Sequence, residues 1–266
     1  MKVTIQKFDV SGFKNHRIIL VVGKRGTGKS TLLRDLLGHL ASRVEFGMAM
    51  TPTEESAEMF RGVMPAQWVH PCFDPMRVES MLNIQRECAR KHKIRDLFLV
   101  MDDCMYDKKV LKGLCMRDLF MNGRHLHITY CNAMQYVMDM GPDLRTQVDY
   151  VFALRENIHS NKTKLWKYFF GMFSTYADFN KVMEKCTEDH SALVLDNTAK
   201  TNDIESCVFW YKAAYPPPPV RMGAPRFWDA STRCVRSERE KEALRDNETE
   251  DTQKDTRIMQ VDKKDK

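Results

Sequence analysis

The stretch Gly23-Lys24-Arg25-Gly26-Thr27-Gly28-Lys29-Ser30-Thr31 has the residue types and spacing that cradle phosphate groups. Gly23 and Gly28 let the backbone turn so that successive N–H groups point inward at phosphate oxygens. Lys29 has the reach for the β and γ phosphates of a bound triphosphate, and the Ser30 hydroxyl suits a magnesium ion. A helix beginning near Lys29 would add the positive end of its dipole at the same place. A Gly/Lys-rich surface turn could share this composition. It would lack the apolar run Ile18-Ile19-Leu20-Val21-Val22 before it and the leucine-rich helical pattern after it.

A second constellation completes the chemistry. The run Leu97-Phe98-Leu99-Val100-Met101 ends in Asp102-Asp103, and a buried strand delivers its terminal carboxylate to the sheet edge that carries the loop. Asp102 is expected to hold magnesium, and Asp103 to orient or deprotonate an attacking water. Glu54 and Glu55 compete for the base role, but acidic residues also suit the first turn of a helix, the reading favoured here. Farther on, His127-Ile128-Thr129-Tyr130-Cys131-Asn132-Ala133-Met134-Gln135 offers Asn132 or Gln135 as a neutral amide beside the γ-phosphate. His125, His127 and Cys131 do not make a zinc motif, because no second paired cluster accompanies them.

These groups need elements that position them. Apolar runs predict strands over 17–23, 44–50, 97–101, 128–131 and 148–154, an edge strand over 3–8, and late strands over 192–196 and 207–211. Helical spacing marks 30–43, 79–93, 108–120, 163–170 and 176–188. Strands alternating with helices predict an α/β fold whose mostly parallel sheet is covered on both faces. Residues 1–215 read as this domain, and 216–266 as a proline-rich arm followed by a charged, disordered tail or loose surface helix.

Composition narrows the setting without naming a partner. Hydrophobic residues make up 43% of the 266-residue chain, enough for a substantial core. No apolar run reaches the length of a membrane span and the N-terminus lacks a secretory h-region, so a soluble intracellular protein is expected. The eight cysteines form no CxxC pair and read as reduced thiols. The net charge of +6 lies outside the tail, since residues 231–266 carry ten basic and ten acidic side chains. That excess is compatible with a polyanionic partner but does not single one out.

Several further segments occur in order at close spacing: Met101-Asp102-Asp103-Cys104, Phe120-Met121-Asn122-Gly123-Arg124-His125, Met134-Gln135-Tyr136-Val137-Met138-Asp139, and Leu144-Arg145-Thr146-Gln147-Val148-Asp149-Tyr150-Val151-Phe152. With Leu193-Val194-Leu195-Asp196 and Val208-Phe209-Trp210-Tyr211-Lys212-Ala213, they resemble the DNA-packaging ATPase of the nucleocytoplasmic large DNA viruses, the poxvirus-type branch of the FtsK–HerA superfamily. The similarity spans residues 15–215. It implies a RecA-like P-loop NTPase with an additional strand between the loop strand and the Asp-Asp strand. It implies ATP and Mg2+ as cofactors, and a homo-oligomeric ring that moves double-stranded DNA, independent of sequence, into a preformed capsid. Capsid or inner-membrane proteins of the virion would be partners, and the host cytoplasm or the virion the location.

Through the resemblance Gln135 inherits a sensor position, and Arg145 the role of a cation offered to the neighbouring subunit, with Arg155 and Arg124 as alternatives. Many relatives have Asp-Glu where this chain has Asp102-Asp103, so the shorter carboxylate must approach the water more closely or act through a second water. Lys162, Lys164 and Lys167 interleave with Trp166, Tyr168, Phe169 and Phe170, a pattern of nucleic-acid grooves and, more often, of amphipathic core helices. A small-molecule kinase would need a basic lid, and none is visible. A GTPase would need NKxD, which Asn161-Lys162-Thr163-Lys164 fails to supply. A non-catalytic assembly protein that merely binds nucleotide is the non-enzyme alternative; intact Lys29, Ser30 and Asp102 argue against it, although they are binding residues.

Overall fold

The computed structural model describes residues 3–104, 110–137, 140–201, 203–217 and 219–237. Two compact units emerge, residues 1–224 and 225–266. Among the described residues the second consists of one helix over 225–237.

In the first unit nine strands form one sheet: β1 (Gln6–Lys7), β2 (Ile18–Val22), β3 (Phe46–Met50), β4 (Val69–His70), β5 (Leu97–Asp102), β6 (Ile128–Met134), β7 (Tyr150–Ala153), β8 (Ala192–Asp196) and β9 (Val208–Tyr211). Their spatial order is β1-β9-β8-β7-β2-β6-β5-β3-β4. All pairings are parallel except those of β8, which runs antiparallel to β7 and β9. Strand β6 lies between β2 and β5, the position of the additional strand. Every residue of β2, β6 and β7 is buried, which is why these segments read as continuous apolar runs rather than alternating ones.

Helices cover both faces. Helix α1 (Lys29–Leu40) packs Leu32, Leu33, Leu36, Leu37 and Leu40 on one side, each at most 2% exposed. Burying each such side chain contributes about 1.5–3 kcal/mol. Helix α2 (Glu54–Arg61) follows β3. Helices α3 (Pro75–Arg90) and α4 (Leu114–Asn122), together with α6 (His159–Phe169) and α7 (Tyr176–Cys186), contribute to the large core cluster that holds Leu20, Met101 and Leu195. Short helices α5 (Pro142–Arg145) and α8 (Ile204–Cys207) precede β7 and β9.

Some boundaries differ from the sequence expectation for identifiable reasons. Helix α3 begins a turn earlier than residue 79, because the Asp74 carboxylate caps the amides of Met76 and Arg77 and Pro75 takes the first helical position. The helix expected over 108–120 begins at Leu114 after a 3-10 turn (Val110–Lys112), while residues 105–109 lie outside the described part. Strand β6 runs three residues past 131. Beyond the proline run the chain returns to the first unit. The Met222 amide donates to the Val63 carbonyl, and its sulfur lies under Gly47, where a Cβ would sit 2.7 Å away. The tail over 238–266 is outside the described residues.

Candidate active site

The chain leaves β2 toward β3 on one side, and later crosses from β6 to β7 on the other. A crevice opens beyond the strand ends at such a reversal. The phosphate loop fills this place. Gly28 takes a left-handed conformation (φ 95°) and Gly26 another (φ 80°). A Cβ on Gly23 would lie 2.6 Å from Leu154 and 2.8 Å from the Thr27 hydroxyl, so the loop closes against β7 only because that atom is absent. Gly28 caps α1 without a side chain. The first amides of the helix are thereby left to meet an anion.

Lys24 fastens the loop from outside through a 2.6 Å ion pair with Glu156. Glu156 also accepts from the Ile158 amide and the Asn161 side chain, at 2.8 and 2.9 Å. Burial acts to raise its pKa, but these donors and Lys24 outweigh it and hold the carboxyl below its ordinary range.

Within the crevice the Lys29 ammonium lies 2.5 Å from Asp103 Oδ1 and 3.2 Å from Asp102 Oδ1. Gln135 Nε2 donates to Asp103 Oδ2 at 3.1 Å. The Ser56 hydroxyl donates to Asp102 Oδ2 at 2.7 Å. Asp103 itself has φ 52°, a left-handed turn that starts as its amide bonds to the Ala133 carbonyl at 3.0 Å. Burial pushes the Asp102 carboxyl above its usual range, while Lys29 and Ser56 pull it back.

These residues line a cavity of about 820 Å³ with Lys24, Gly28, Ser30 and Thr31 of the loop. The magnesium expected here has a test in the donor set. Asp102 Oδ1 is buried and faces only the Lys29 ammonium, at 3.2 Å, and Ser30 lines the same cavity. A hydroxyl and a buried carboxylate oxygen are ligands a hard cation takes once Lys29 turns to the phosphates, so the site fits the ion.

The structure therefore brings together Lys24, Lys29, Ser30, Asp102, Asp103 and Gln135. It separates Asn132 from them: that amide is 1% exposed within β6 and unpaired among the described residues. Glu54 and Glu55 form the first turn of α2, as expected, although Glu55 also borders the cavity. Arg145 is not a lining residue; its guanidinium stacks on the Tyr168 ring at 3.9 Å. Arg124 is engaged 2.7 Å from Asp149. In α6, Leu165 and Phe169 are buried, and Phe170 just beyond it is fully so, while Lys162 donates to Asn180 at 2.5 Å. The aromatic–lysine pattern is thus largely a core helix.

Sequence reasoning missed Ser56, Glu156 and the far wall of Asp189, His190, Lys212 and Tyr215. No motif connects them to the loop. The successive left-handed residues Asp189 and His190 (φ 51° and 59°) put the imidazole Nδ1 3.6 Å from where a Gly28 Cβ would stand.

A glycine cradle, a helix N-terminus, and an inserted strand between the loop strand and the carboxylate strand define a RecA-like P-loop NTPase fold. Comparison with known proteins gives its relatives. Uncharacterized protein 088R of Invertebrate iridescent virus 3 is 32% identical over 198 residues, covering 74% of this chain and 76% of that one. Uncharacterized protein L437 of Acanthamoeba polyphaga mimivirus is 32% identical over 222 residues, covering 80% and 78%. The chain belongs to the same family as these viral proteins.

Among solved structures, the genome packaging NTPase B204 of Sulfolobus turreted icosahedral virus 2, in complex with AMPPCP, superposes with a TM-score of 0.54 at 17% identity, covering 76% of this chain and all (100%) of that one. The cytoplasmic domain of the type VII secretion ATPase EccC of Thermomonospora curvata gives 0.51 at 16% identity, over 76% of this chain and 26% of that one. These likenesses concern the fold. No family model matches the chain.

Proposed function

We propose that the protein hydrolyses Mg·ATP to drive double-stranded DNA into a viral capsid. The observation that carries the reading is the Lys29 ammonium held between Asp103 at 2.5 Å and Asp102 at 3.2 Å, at the mouth of the glycine cradle. A triphosphate seated on the loop competes with Asp103 for that ammonium. As Lys29 turns to the phosphates, Asp103 is released to accept a proton from water, and Gln135 remains on its second oxygen to position both. Ser30 and Asp102 would hold the magnesium ion, which neutralises charge on the β and γ phosphates.

The reading is supported further by kinship. The relatives come from large DNA viruses, and the superposed B204 is described as a genome packaging NTPase. A ring supplies a cation in trans, and Arg145 is our assignment for it: it stands at the end of α5, outside its own subunit's cavity, with its guanidinium over the Tyr168 ring. The motor grips backbone phosphates rather than bases. Capsid or inner-membrane proteins are the partners such a motor docks on, in the host cytoplasm or the virion. No helix of the described residues is long and apolar enough to cross a membrane.

The test is ATP turnover by Asp103→Asn. Nucleotide affinity within a few-fold of wild type alongside loss of turnover supports the reading; unchanged turnover refutes the assigned base.

A further inference from the structure

At the sheet edge opposite the nucleotide cavity, the residues just before three neighbouring strands converge. His16 precedes β2, Asp96 precedes β5 and His127 precedes β6. His16 Nε2 lies 2.7 Å from Asp96 Oδ1, and His127 Nδ1 lies 3.0 Å from the same oxygen. The two imidazole rings stack with centroids 4.2 Å apart and planes 23° from parallel. All three potential ligand atoms fall within 4.8 Å of one another.

The backbone aims them deliberately. Both histidines have left-handed φ, 56° and 53°, a conformation that a side chain disfavours. Each is fixed by the sheet: the His16 amide donates to the Thr129 hydroxyl at 3.0 Å, and the His127 carbonyl accepts from Leu97 at 3.0 Å. Asp96 is anchored as its carbonyl accepts from Glu45 at 2.8 Å. The ligands thus sit on rigid strand ends, 80 and 31 residues apart along the chain, counted from Asp96 to His16 and to His127. No spacing motif would reveal them.

We propose that His16, Asp96 and His127 form a binding site for a borderline divalent transition-metal ion of the zinc class. Two imidazole nitrogens and one carboxylate oxygen are a donor set such ions take, with water completing the shell. Ligand atoms around tetrahedral zinc stand about 3.3 Å apart, close to the two observed nitrogen–oxygen contacts, and one imidazole must turn out of the stack so that both ring nitrogens aim at a single ion. Side-chain exposures of 21%, 34% and 40% leave room for water and a path for entry. The bound ion would staple the starts of β2, β5 and β6, the three strands whose far ends carry the phosphate loop, the Asp102-Asp103 pair and Gln135. It would be a structural site, distinct from the one proposed for magnesium at Asp102.

The experiment uses the full chain stripped with chelator and titrated with Co2+, whose visible spectrum separates nitrogen and oxygen ligands from thiolate. One equivalent is expected to bind without a sulfur charge-transfer band, to be displaced by Zn2+, and to raise Tm. His16→Ala, His127→Ala and Asp96→Asn are each expected to weaken binding at least about 100-fold, whereas Cys72→Ser, at an exposed thiol, leaves it unchanged. Anomalous diffraction from Zn2+-soaked wild-type crystals decides the location even where a variant fails to fold. A peak between His16 and His127 supports the site. Absence of stoichiometric binding, a peak at cysteines or at Asp102, or variants that bind like wild type would overturn it.

Discussion

The Lys29 ammonium bridges two adjacent carboxylates, 2.5 Å from Asp103 and 3.2 Å from Asp102, so one cation serves both acids of the Asp-Asp pair. Its own side chain is only 9% exposed, and that of Asp102 is 2%. Replacing Lys29 with Ala therefore does two things. It removes the group that meets the developing charge on the phosphoryl oxygens, and kcat is expected to fall by at least about 100-fold. It also leaves two close carboxylates without their cation, which is expected to cost about 1–3 kcal/mol in denaturant unfolding. Loss of activity with unchanged stability would place Lys29 away from the pair.

Asp102 should show the opposite balance. Burial raises its carboxyl above the ordinary range, so the native state carries its ionised form at a cost. A raised pKa contributes stability that is complete below the unfolded value and is lost as pH rises through the folded value. Asp102→Asn keeps an acceptor for Ser56 and removes the charge, so without magnesium its Tm at neutral pH is expected to exceed that of wild type. Magnesium-dependent turnover should disappear. A lower Tm would contradict the assignment of the strain to the charge.

Glu156 works in the other direction. Its carboxyl is held below its usual range despite burial, through Lys24, the Ile158 amide and Asn161. The stability it supplies is present above its unfolded pKa, about 4.3, and fades as pH falls through its lower folded value. Glu156→Gln is expected to flatten the acid limb of the Tm–pH curve. It should also raise KM for ATP several-fold with little change in kcat, because only the Lys24 tether is lost. A kcat effect alone would argue against this role.

Arg145 is expected to matter only between subunits. Arg145→Ala should leave nucleotide binding intact and lower turnover of the assembled protein about 1,000-fold, the scale of a trans-acting arginine. Doping wild-type protein with the variant separates a trans role from a local one: inhibition beyond the mole fraction supports it, and strict proportionality rejects it.

Much of this arrangement was legible in the residues because it is built from local signals. The apolar run before Gly23, the leucines of α1 and the Asp102-Asp103 terminus each announce their element by pattern. The insertion of β6 between β2 and β5 came from the resemblance, since strand order is a tertiary property that periodicity does not carry. Ser56, Glu156 and His190 were silent for the same reason: each reaches the site from another element, by contact rather than by spacing. Strand β4, two residues long, is too short to show a period. The lysines and aromatics of α6 carried two meanings in sequence, and packing of Leu165, Phe169 and Phe170 separates them.

Coupling between ATP and DNA is measured as steady-state ATP hydrolysis with and without long double-stranded DNA across a salt series. Stimulation by DNA of any sequence is predicted, declining steeply as salt rises, with a log–log slope near −0.9 per phosphate contacted. Hydrolysis indifferent to DNA at every salt concentration, or phosphoryl transfer to a nucleoside, would contradict it.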